Sequence, residues 1–222
     1  MTIAIVIPAL NEAEQLPATL DRLRGQEVFV VDGGSRDGTT AIAAHHGAHV
    51  LVQAGGRAAQ LNAGAAASDA GTLLFLHADT HLPENWAGEV ERILSAGKSP
   101  VLGAFSLAIR DPTPGERIVA VGANVRSRRF GLPYGDQGLF LRRATFDALG
   151  GFRALPIMED YDFVRRARRL GRIVTSPLAV TTSPRRWRHR GTFRTTLLNQ
   201  AMLVGWHAGL SPARLARLYR GT

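Results

Sequence analysis

Residues 28–39 read VFVVDGGSRDGT, an apolar run that stops at an aspartate and a pair of glycines. The same pattern occurs in residues 3–12, which read IAIVIPALNE, and in residues 73–80, which read LLFLHADT. The apolar runs are too short for helices and rich in β-branched residues, which predicts strands buried on both faces. Because the carboxyl ends of parallel strands meet at one edge of a sheet, the polar residues after these runs should line one crevice.

Strand-like and helix-like segments alternate along the chain. Helices are predicted near residues 12–24, 37–46, 57–67, 83–95, 115–128, 159–170 and 193–207, and further strands near 50–52, 72–77, 101–109 and 139–141. Such alternation is typical of a parallel sheet with right-handed crossovers. A chain of 222 residues can bury a substantial core, so we expect a single α/β domain.

Charge is distributed unevenly along the chain. Residues 1–109 carry 6 Lys and Arg against 11 Asp and Glu, a net charge of −5, whereas residues 110–222 carry 21 against 7, a net charge of +14. Every basic residue of the second half is an arginine, whose guanidinium matches the geometry of phosphate oxygens. Two interpretations remain open: a general preference for arginine over lysine, or binding to an anion such as a diphosphate, an acidic acceptor or a lipid surface.

Several function classes are disfavoured by composition. The chain has no cysteine, which excludes disulfides and thiol catalysis and is compatible with a reducing compartment. The first strand begins at Ile3, which leaves no room for a signal peptide, and no run of 18 apolar residues predicts a membrane span. Residues 183–190 are basic but contain one aromatic side chain and no stacking series, so we expect no nucleic-acid partner. We therefore predict a cytoplasmic protein.

Six motifs occur in an order and spacing that is informative as a set. They are residues 8–12, residues 31–39, Arg57 with Asn62 and Gly64, residues 77–79, the pair Glu159 and Asp160, and the pair Arg186 and Trp187. Together they resemble the family 2 glycosyltransferases, inverting enzymes that take a sugar from a nucleotide diphosphate sugar. The resemblance covers roughly residues 2–190. It implies a GT-A fold, a Rossmann-like single domain with a mostly parallel central sheet flanked by helices.

The resemblance also implies a division of the domain, which spans residues 1–222. Residues 1–109 would form the nucleotide-sugar-binding half, residues 110–190 the acceptor-binding half and residues 191–222 an amphipathic helical tail. Because residues 193–220 combine apolar side chains with arginines, this tail should pack on the body, form a homodimer or lie on anionic lipid. The last alternative would place the protein peripherally at the inner membrane face.

Donor-binding residues follow from the resemblance. They are Pro8, Ala9, Asn11, Glu12, Asp32, Gly33, Arg57, Asn62, His77, Ala78, Asp79, Arg186 and Trp187. Asp32 would accept a hydrogen bond from the nucleoside, and its competing interpretation is a helix-capping turn. Many relatives have a second acid where this chain has Gly33, so the identity of the base stays open. An arginine at a helix N-terminus opposes the helix dipole, so Arg57 suggests either an anionic partner or an ordinary surface position.

A divalent cation, Mg²⁺ or Mn²⁺, is implied at residues 77–79, the position of the family's Asp-x-Asp motif. A diphosphate leaving group gains charge as the glycosidic bond breaks, and hard cations prefer oxygen ligands such as Asp79. His77 replaces the first acid, and Mn²⁺ accepts an imidazole ligand. His77 would otherwise bond the ribose or the backbone. His189 is a second candidate ligand, with a solvated basic turn as its alternative.

The catalytic residues implied by the resemblance are Asp160 and Glu159. Inverting transfer needs a carboxylate that takes the proton of the acceptor hydroxyl, and Asp160 is that candidate base, supported by Glu159. Both carboxylates would also be favoured at the start of a helix by its dipole, which is the structural alternative. Sugar hydroxyls suit amide and carboxylate groups, so we expect the acceptor at Tyr134, Gly135, Asp136 and Gln137, although Asp136 also suits a turn.

The expected function is therefore metal-assisted inverting transfer of a sugar, a hexosyltransferase reaction, to a hydroxyl of a small-molecule or lipid-linked acceptor. The small stand-alone group with His-Ala-Asp at the metal position is most similar, and some of its members are assigned to arsenosugar biosynthesis. Two alternatives remain: a nucleotidyltransferase, and a non-catalytic protein that binds sugar nucleotides or a membrane surface. A nucleotidyltransferase usually has a glycine-rich loop after its first strand, where this chain has residues 8–12 instead.

Overall fold

The computed structural model describes residues 2–97 and 99–220. Its described strands form one sheet in the order β3-β2-β1-β4-β7-β6-β8-β5. The strands are β1 (Ile3–Ala9), β2 (Glu27–Asp32), β3 (His49–Val52), β4 (Thr72–Phe75), β5 (Thr80–His81), β6 (Leu102–Ile109), β7 (Leu139–Arg142) and β8 (Ile173–Thr182). The helices are α1 (Leu16–Asp21), α2 (Thr39–His45), α3 (Arg57–Ala66), α4 (Trp86–Leu94), α5 (Pro114–Phe130), α6 (Arg143–Ala148), α7 (Glu159–Leu170), α8 (Arg185–Arg190), α9 (Thr192–His207) and α10 (Pro212–Arg220).

Strand pairing makes the sheet mixed but mostly parallel. β1 runs parallel to β2 and β4, β2 to β3, and β6 to β8, whereas β7 is antiparallel to both of its neighbours, β4 and β6. Leu139, at the start of β7, pairs with Phe75 at the end of β4. The loop before β7 therefore lies at the same sheet edge as the carboxyl ends of β1, β2 and β4.

Helices cover both faces of the sheet, as expected for strands that carry apolar side chains on both faces. Alternate residues of one strand enter different cores: Ile5 and Ile7 pack with α1, α2 and α4, and Ala4 and Val6 pack with α3, α6 and α7. Because most side chains of β1, β2 and β4 are buried on one face or the other, their sequences are nearly continuous apolar runs. The expected α/β architecture, a mostly parallel sheet flanked by helices, is confirmed.

Four elements differ from the prediction. α4 begins at Trp86 rather than at Pro83, because Asn85 adopts a left-handed conformation with φ 56°. β8 was not predicted, since Pro177 interrupts its apolar pattern and has no backbone N–H. The β6–β8 register shifts between Ala104 and Ser106, which places this proline at an irregularity of the ladder. β5 and α8 were also missed, being short and without apolar periodicity.

The close packing of β6 on β7 gives a prediction of stability. A Cβ added to Gly103 would lie 2.0 Å from the ring of the fully buried Phe140, so the ring or the strand must move. We expect Gly103→Ala to lower the free energy of unfolding by about 2–3 kcal/mol, measured by urea denaturation. Gly122→Ala is the matched control, because its Cβ would have no neighbour within 4 Å and it lies inside helix α5. The control should be neutral or slightly stabilising; equal stability of both variants would contradict the packing argument.

Candidate active site

A cleft of about 1100 Å³ opens at the sheet edge where β1 and β4 end. The side chains of ten predicted site residues line it: Pro8, Arg57, His77, Tyr134, Asp136, Glu159, Asp160, Arg186, Trp187 and His189. The structure thus brings together residues from both halves of the chain. The other predicted residues, Ala9, Asn11, Glu12, Asp32, Gly33, Asn62, Ala78, Asp79, Gly135 and Gln137, are not part of this lining.

The candidate base, Asp160, is fixed by two backbone N–H groups. Its Oδ2 accepts a hydrogen bond of 2.8 Å from the Gly135 N–H, and its Oδ1 accepts one of 2.7 Å from the Tyr161 N–H. Helix α7 starts after Met158, which is left-handed with φ 64°. The carboxylate therefore has a fixed orientation at the cleft and retains oxygen lone pairs for a ligand.

Glu159 is buried beside Asp160, at the start of helix α7. Burial raises its pKa to about 7, the neighbouring Asp160 carboxylate adds to the rise, and Arg57 opposes it. The Arg57 Nε lies 3.8 Å from Glu159 Oε1, which joins the start of α3 to the start of α7. Near neutral pH, Glu159 is thus partly protonated, which relieves repulsion between the two neighbouring carboxyls.

This raised pKa predicts a pH-dependent stability. The contribution of Glu159 to the free energy of unfolding is fully present below its ordinary pKa of 4.5. It is lost as the pH rises through about 7, because the ionised form is disfavoured in the folded protein. We expect Glu159→Gln to be more stable than the wild type at pH 8 by on the order of 1–3 kcal/mol, a gain that vanishes toward pH 4.5. Urea denaturation of both proteins across this range measures the difference. A difference independent of pH would show that Glu159 keeps an ordinary pKa.

The loop before β7 packs closely against both Asp160 and His77. A Cβ on Gly135 would lie 3.1 Å from His77 Nε2 and 3.2 Å from Asp160 Oδ2, so the absence of a side chain there permits the approach. Gln137 is fully buried: its amide donates to the Phe105 carbonyl at 3.0 Å, and its Oε1 accepts from Arg126. Gln137 therefore holds the loop and does not face the cleft.

Two side chains of this loop do face the cleft, Tyr134 and Asp136. The Tyr134 hydroxyl and Asp136 Oδ1 are buried without a hydrogen-bond partner among the residues described. Burial raises the pKa of Tyr134 to about 12, and the Arg126 guanidinium lies 3.4 Å from the centre of its ring. Burial also raises the pKa of Asp136, with Arg126 opposing and Asp160 adding to the rise. Both groups have unused capacity for hydrogen bonds with a ligand.

The turn after β2 uses the Asp32 carboxylate internally. This side chain is 2% exposed and accepts hydrogen bonds from the N–H groups of Gly34 and Ser35, each 2.8 Å long, and from the Ser35 hydroxyl. The backbone N–H of Gly33 donates to Ala9 at 2.8 Å, which joins this turn to the end of β1. The structure therefore places the Asp32 carboxylate within its own turn, and helix α2 begins only at Thr39, after an N-cap at Gly38.

Neighbouring polar residues extend this network. Asn11, left-handed with φ 55°, receives a 2.9 Å hydrogen bond on Oδ1 from the Arg36 N–H. Glu12 accepts two hydrogen bonds from Arg185 Nη2, 2.7 and 2.8 Å long, which tie the end of β1 to helix α8. Burial raises the pKa of Glu12, and Arg185 opposes this rise.

Two polar residues of α3 bond to the backbone of distant segments. Gln60, which no motif marked, donates to the carbonyls of Ala9 and Val31, both at 2.8 Å, and so joins the ends of β1 and β2. A single polar residue at a buried position of an alanine-rich helix was the only signal for it. Asn62 was predicted to bind the donor, but its amide exchanges hydrogen bonds of 2.8 and 2.9 Å with the Phe152 backbone.

His77 and Asp79 lie after β4, on either side of the buried Ala78. Burial, with Arg57 and Arg186 adding, holds the pKa of His77 well below its usual range, so the imidazole stays neutral. Asp79 is partly exposed, and its carboxylate accepts a long hydrogen bond of 3.4 Å from the Thr80 hydroxyl. A neutral imidazole and an accessible carboxylate are both competent metal ligands.

A complete protein-built metal cage is not present in the described part of the chain, which has no group of three or more His, Cys, Asp or Glu arranged for a cation. Mg²⁺ sites commonly combine one or two carboxylates with substrate phosphates and water. Asp79 offers one accessible carboxylate, the protein share that such a site would need. His189 lies on the cleft wall and is exposed.

Helix α8 supplies the opposite wall of the cleft. The Arg186 guanidinium donates to Asn199 Oδ1 at 3.1 Å and lies 5.4 Å from the centre of the Tyr219 ring, so α9 and α10 hold it. Trp187 is 7% exposed, and its indole Nε1 is buried without a partner among the described residues. Four described arginines line the cleft against three carboxylates, a balance that suits an anionic ligand. The arginines are Arg57, Arg185, Arg186 and Arg220.

Comparison with known sequences identifies one family. The Glycosyl transferase family 2 profile matches residues 4–155. A protein of Mycobacterium tuberculosis strain H37Rv, named an uncharacterized glycosyltransferase, is 34% identical over 95 residues, which are 42% of this chain and 42% of that protein. Glycosyltransferase AglJ of Haloferax volcanii is 31% identical over 157 residues, which are 68% of this chain and 49% of AglJ. The chain thus matches less than half the length of these curated relatives.

Solved structures resemble the fold. The mannosyltransferase PcManGT from Pyrobaculum calidifontis, in complex with GDP-Man and Mn²⁺, gives a TM-score of 0.68 at 20% identity over 98% of this chain and 68% of its own. S. aureus TarS 1–349 in complex with UDP-GlcNAc gives 0.64 at 17% identity over 82% of this chain and 58% of its own. At these identities the likeness concerns the fold, and it confirms the expected GT-A architecture.

Proposed function

Since this chain belongs to glycosyl transferase family 2, it is a glycosyltransferase, and we propose that it transfers a sugar with inversion from a nucleotide diphosphate sugar to an acceptor hydroxyl. Asp160 is the general base of this proposal. The observation that carries it is the fixed Asp160 carboxylate, which lies at the cleft with one backbone N–H on each oxygen. Family membership favours this reaction over the nucleotidyltransferase alternative. The similarity to arsenosugar enzymes stays a prediction.

The proposed reaction is a single displacement. The acceptor oxygen forms a bond to the anomeric carbon and gives its proton to the Asp160 carboxylate, while the bond from that carbon to the diphosphate breaks and its electron pair leaves with the diphosphate. Glu159, with its pKa near 7, supports this role because its protonated form does not repel the Asp160 carboxylate. Glu159 is buried, whereas Asp160 is half-buried at the cleft. This difference in burial separates their roles: Asp160 takes the proton, and Glu159 supports it.

The donor is proposed to lie between the end of β1 and helix α8. Arg57 and Arg186 would bind the diphosphate, whose oxygens match guanidinium groups, and the unpartnered indole N–H of Trp187 would donate to the same ligand. PcManGT binds GDP-Man and TarS binds UDP-GlcNAc, so we propose a donor of this class here. Pro8 lines the cleft beside the proposed donor. The turns after β1 and β2 are shaped by five further residues: Ala9, Asn11, Glu12, Asp32 and Gly33. Asn62 would fix α3 through its hydrogen bonds to the Phe152 backbone.

We also propose Mg²⁺ or Mn²⁺ as the cofactor, with Asp79 as its main protein ligand. Such a cation would neutralise the charge that develops on the diphosphate. His77 has the neutral ring that a ligand requires, and His189 is a further candidate on the opposite wall. The Mn²⁺ complex of PcManGT supports a divalent cation in this fold.

The acceptor is proposed to bind at Tyr134 and Asp136, whose unpartnered polar atoms face the cleft beside Asp160. Gly135 and Gln137 position this loop. Within the described part of the chain, no helix combines the length and apolar content needed to cross a bilayer. A cytoplasmic location, with contact to a membrane surface or a second copy through residues 193–220, stays a proposal.

A thermal-shift screen tests the proposed function. The protein is heated with UDP-, GDP- and dTDP-sugars, with and without Mn²⁺, and a specific donor should raise the unfolding temperature only when the cation is present. Release of the nucleotide diphosphate from that donor then measures turnover. Binding without any turnover would support the non-catalytic alternative, and binding of no nucleotide sugar would contradict the proposal.

A further inference from the structure

Beyond the charged groups, the cleft has a wall that the donor does not explain. The segment before α7 and the inner side of α9 contribute apolar side chains to it, which we call the apolar half: Leu155, Pro156, Ile157, Met158, Met202 and Leu203. None of them belongs to a motif that marked the site in the sequence. They come from two segments about 45 residues apart in the chain. Contacts of Tyr161 in α7 with Trp206 and His207 in α9 bring the two segments together.

The size of the cleft leaves room for a second ligand. Its volume of about 1100 Å³ lies at the upper end of the usual range of roughly 300–1,000 Å³ for a small-molecule pocket. The charged residues that suit a diphosphate, Arg57 and Arg186, come from α3 and α8. Apart from its flat base, a nucleotide sugar is polar, so a donor held by Arg57 and Arg186 would leave much of the apolar half in contact with water.

The apolar half adjoins the position where an acceptor hydroxyl must lie. Met158 directly precedes Glu159 and Asp160, and its left-handed conformation, φ 64°, turns the chain into helix α7. An unbranched residue such as methionine rarely adopts this conformation, so the surrounding packing holds it there. The apolar half therefore leads directly into the candidate base along the chain and lines the same cleft.

Helix α9 has one side buried at the cleft and one side exposed to solvent. Met202 is 5% exposed and lies nearly opposite Phe193, Leu197 and Val204 on the helix, which are 82%, 59% and 69% exposed. Leu203 is partly buried at the cleft. The two sides of one helix thus offer a matched pair of positions, Leu203 inside the cleft and Leu197 outside it.

We propose that the acceptor carries its hydroxyl on a molecule with an apolar arm, of the class of long-alkyl or lipid-linked acceptors, and that the apolar half binds this arm. This inference rests on the proposed function, since it assigns the arm to the substrate that Asp160 deprotonates. A free sugar or other fully polar acceptor would require hydrogen-bonding groups along this wall, where the chain has aliphatic and thioether side chains instead.

Binding of n-alkyl β-D-glucosides, measured by isothermal titration calorimetry below their micelle concentrations, tests the inference without any donor. In the wild type, Kd should fall about 3- to 4-fold for each added methylene from butyl to octyl, the value expected for burial of a methylene group. Leu203→Asp should abolish this dependence on chain length. Leu197→Asp, on the exposed side of the same helix, should retain it.

Three results would overturn the inference: no chain-length dependence in the wild type, its persistence in Leu203→Asp, or its loss in Leu197→Asp, which would move the arm to the outer face. If Leu203→Asp fails to fold, Ile157→Asn tests the part of the apolar half that comes from the segment before α7. Circular dichroism verifies the folding of each variant. Failure of the proposed function is separate, because it would be seen as absent donor binding while alkyl glucosides still bind in proportion to chain length.

Discussion

Asp160→Asn is expected to lower kcat for sugar transfer by about two orders of magnitude or more, with little change in donor affinity. The amide keeps the size of the side chain and one oxygen that can accept from a backbone N–H, but it cannot take the acceptor proton. General-base catalysis typically contributes about 10²–10⁴ in rate. A group that acts mainly in the transition state changes kcat more than ground-state binding. Steady-state transfer assays and calorimetric titration of the nucleotide measure the two effects.

The control for this variant is Asp147→Asn, which removes an exposed carboxylate from helix α6, away from the cleft. It should leave transfer unchanged. Near-normal transfer by Asp160→Asn would show that the base lies elsewhere, with Glu159 and Asp136 the next candidates. An unfolded Asp160→Asn would instead identify this carboxylate as a stabiliser of the α7 N-terminus, where acidic side chains are favoured by the helix dipole.

Asp79→Asn is expected to remove the cation-dependent part of nucleotide affinity. An outer-shell partner of a metal ligand already contributes about 10- to 100-fold in affinity, so loss of a direct ligand should cost at least this much. The wild type should bind UDP or GDP more tightly in Mn²⁺ than in EDTA, whereas the variant should bind equally in both. Titration calorimetry under the two conditions gives both constants.

Asp69→Asn is the matched control, because Asp69 is exposed and precedes β4, at the edge of the sheet away from the cleft. Its Mn²⁺ dependence should equal that of the wild type. If Asp79→Asn keeps wild-type affinity in Mn²⁺, Asp79 does not bind the cation. Comparison with His189→Ala then shows whether the exposed histidine on the opposite wall contributes.

The strands and their shared edge could be predicted because the pattern behind them is local. β1, β2 and β4 are buried on both faces, so each consists of a continuous apolar run that ends at polar residues. β8 could not be found in this way, since Pro177 interrupts it and its partner β6 lies some seventy residues earlier. Its strand character depends on the register that β6 and the bulge impose.

The chemistry of the site was partly predictable, because residue types at strand ends limit what an edge can bind. Asp160, Glu159, Asp136 and His77 do meet at one cleft, as their motifs suggested. Whether a polar atom is available to a ligand depends on its neighbours. The Asp32 carboxylate is used within its own turn, and Asn62 bonds a backbone 90 residues away.

The sequence by itself therefore determined the fold class, the edge of the sheet that carries the site and the family of the chain, because periodicity and motif spacing are properties of neighbouring residues. Only the tertiary structure decided which side chains reach the cleft, how burial raises the pKa of Glu159 to about 7, and that the segment before α7 meets α9 in an apolar wall. Burial and contacts between distant segments arise when the helices pack on the sheet, and no local pattern encodes them.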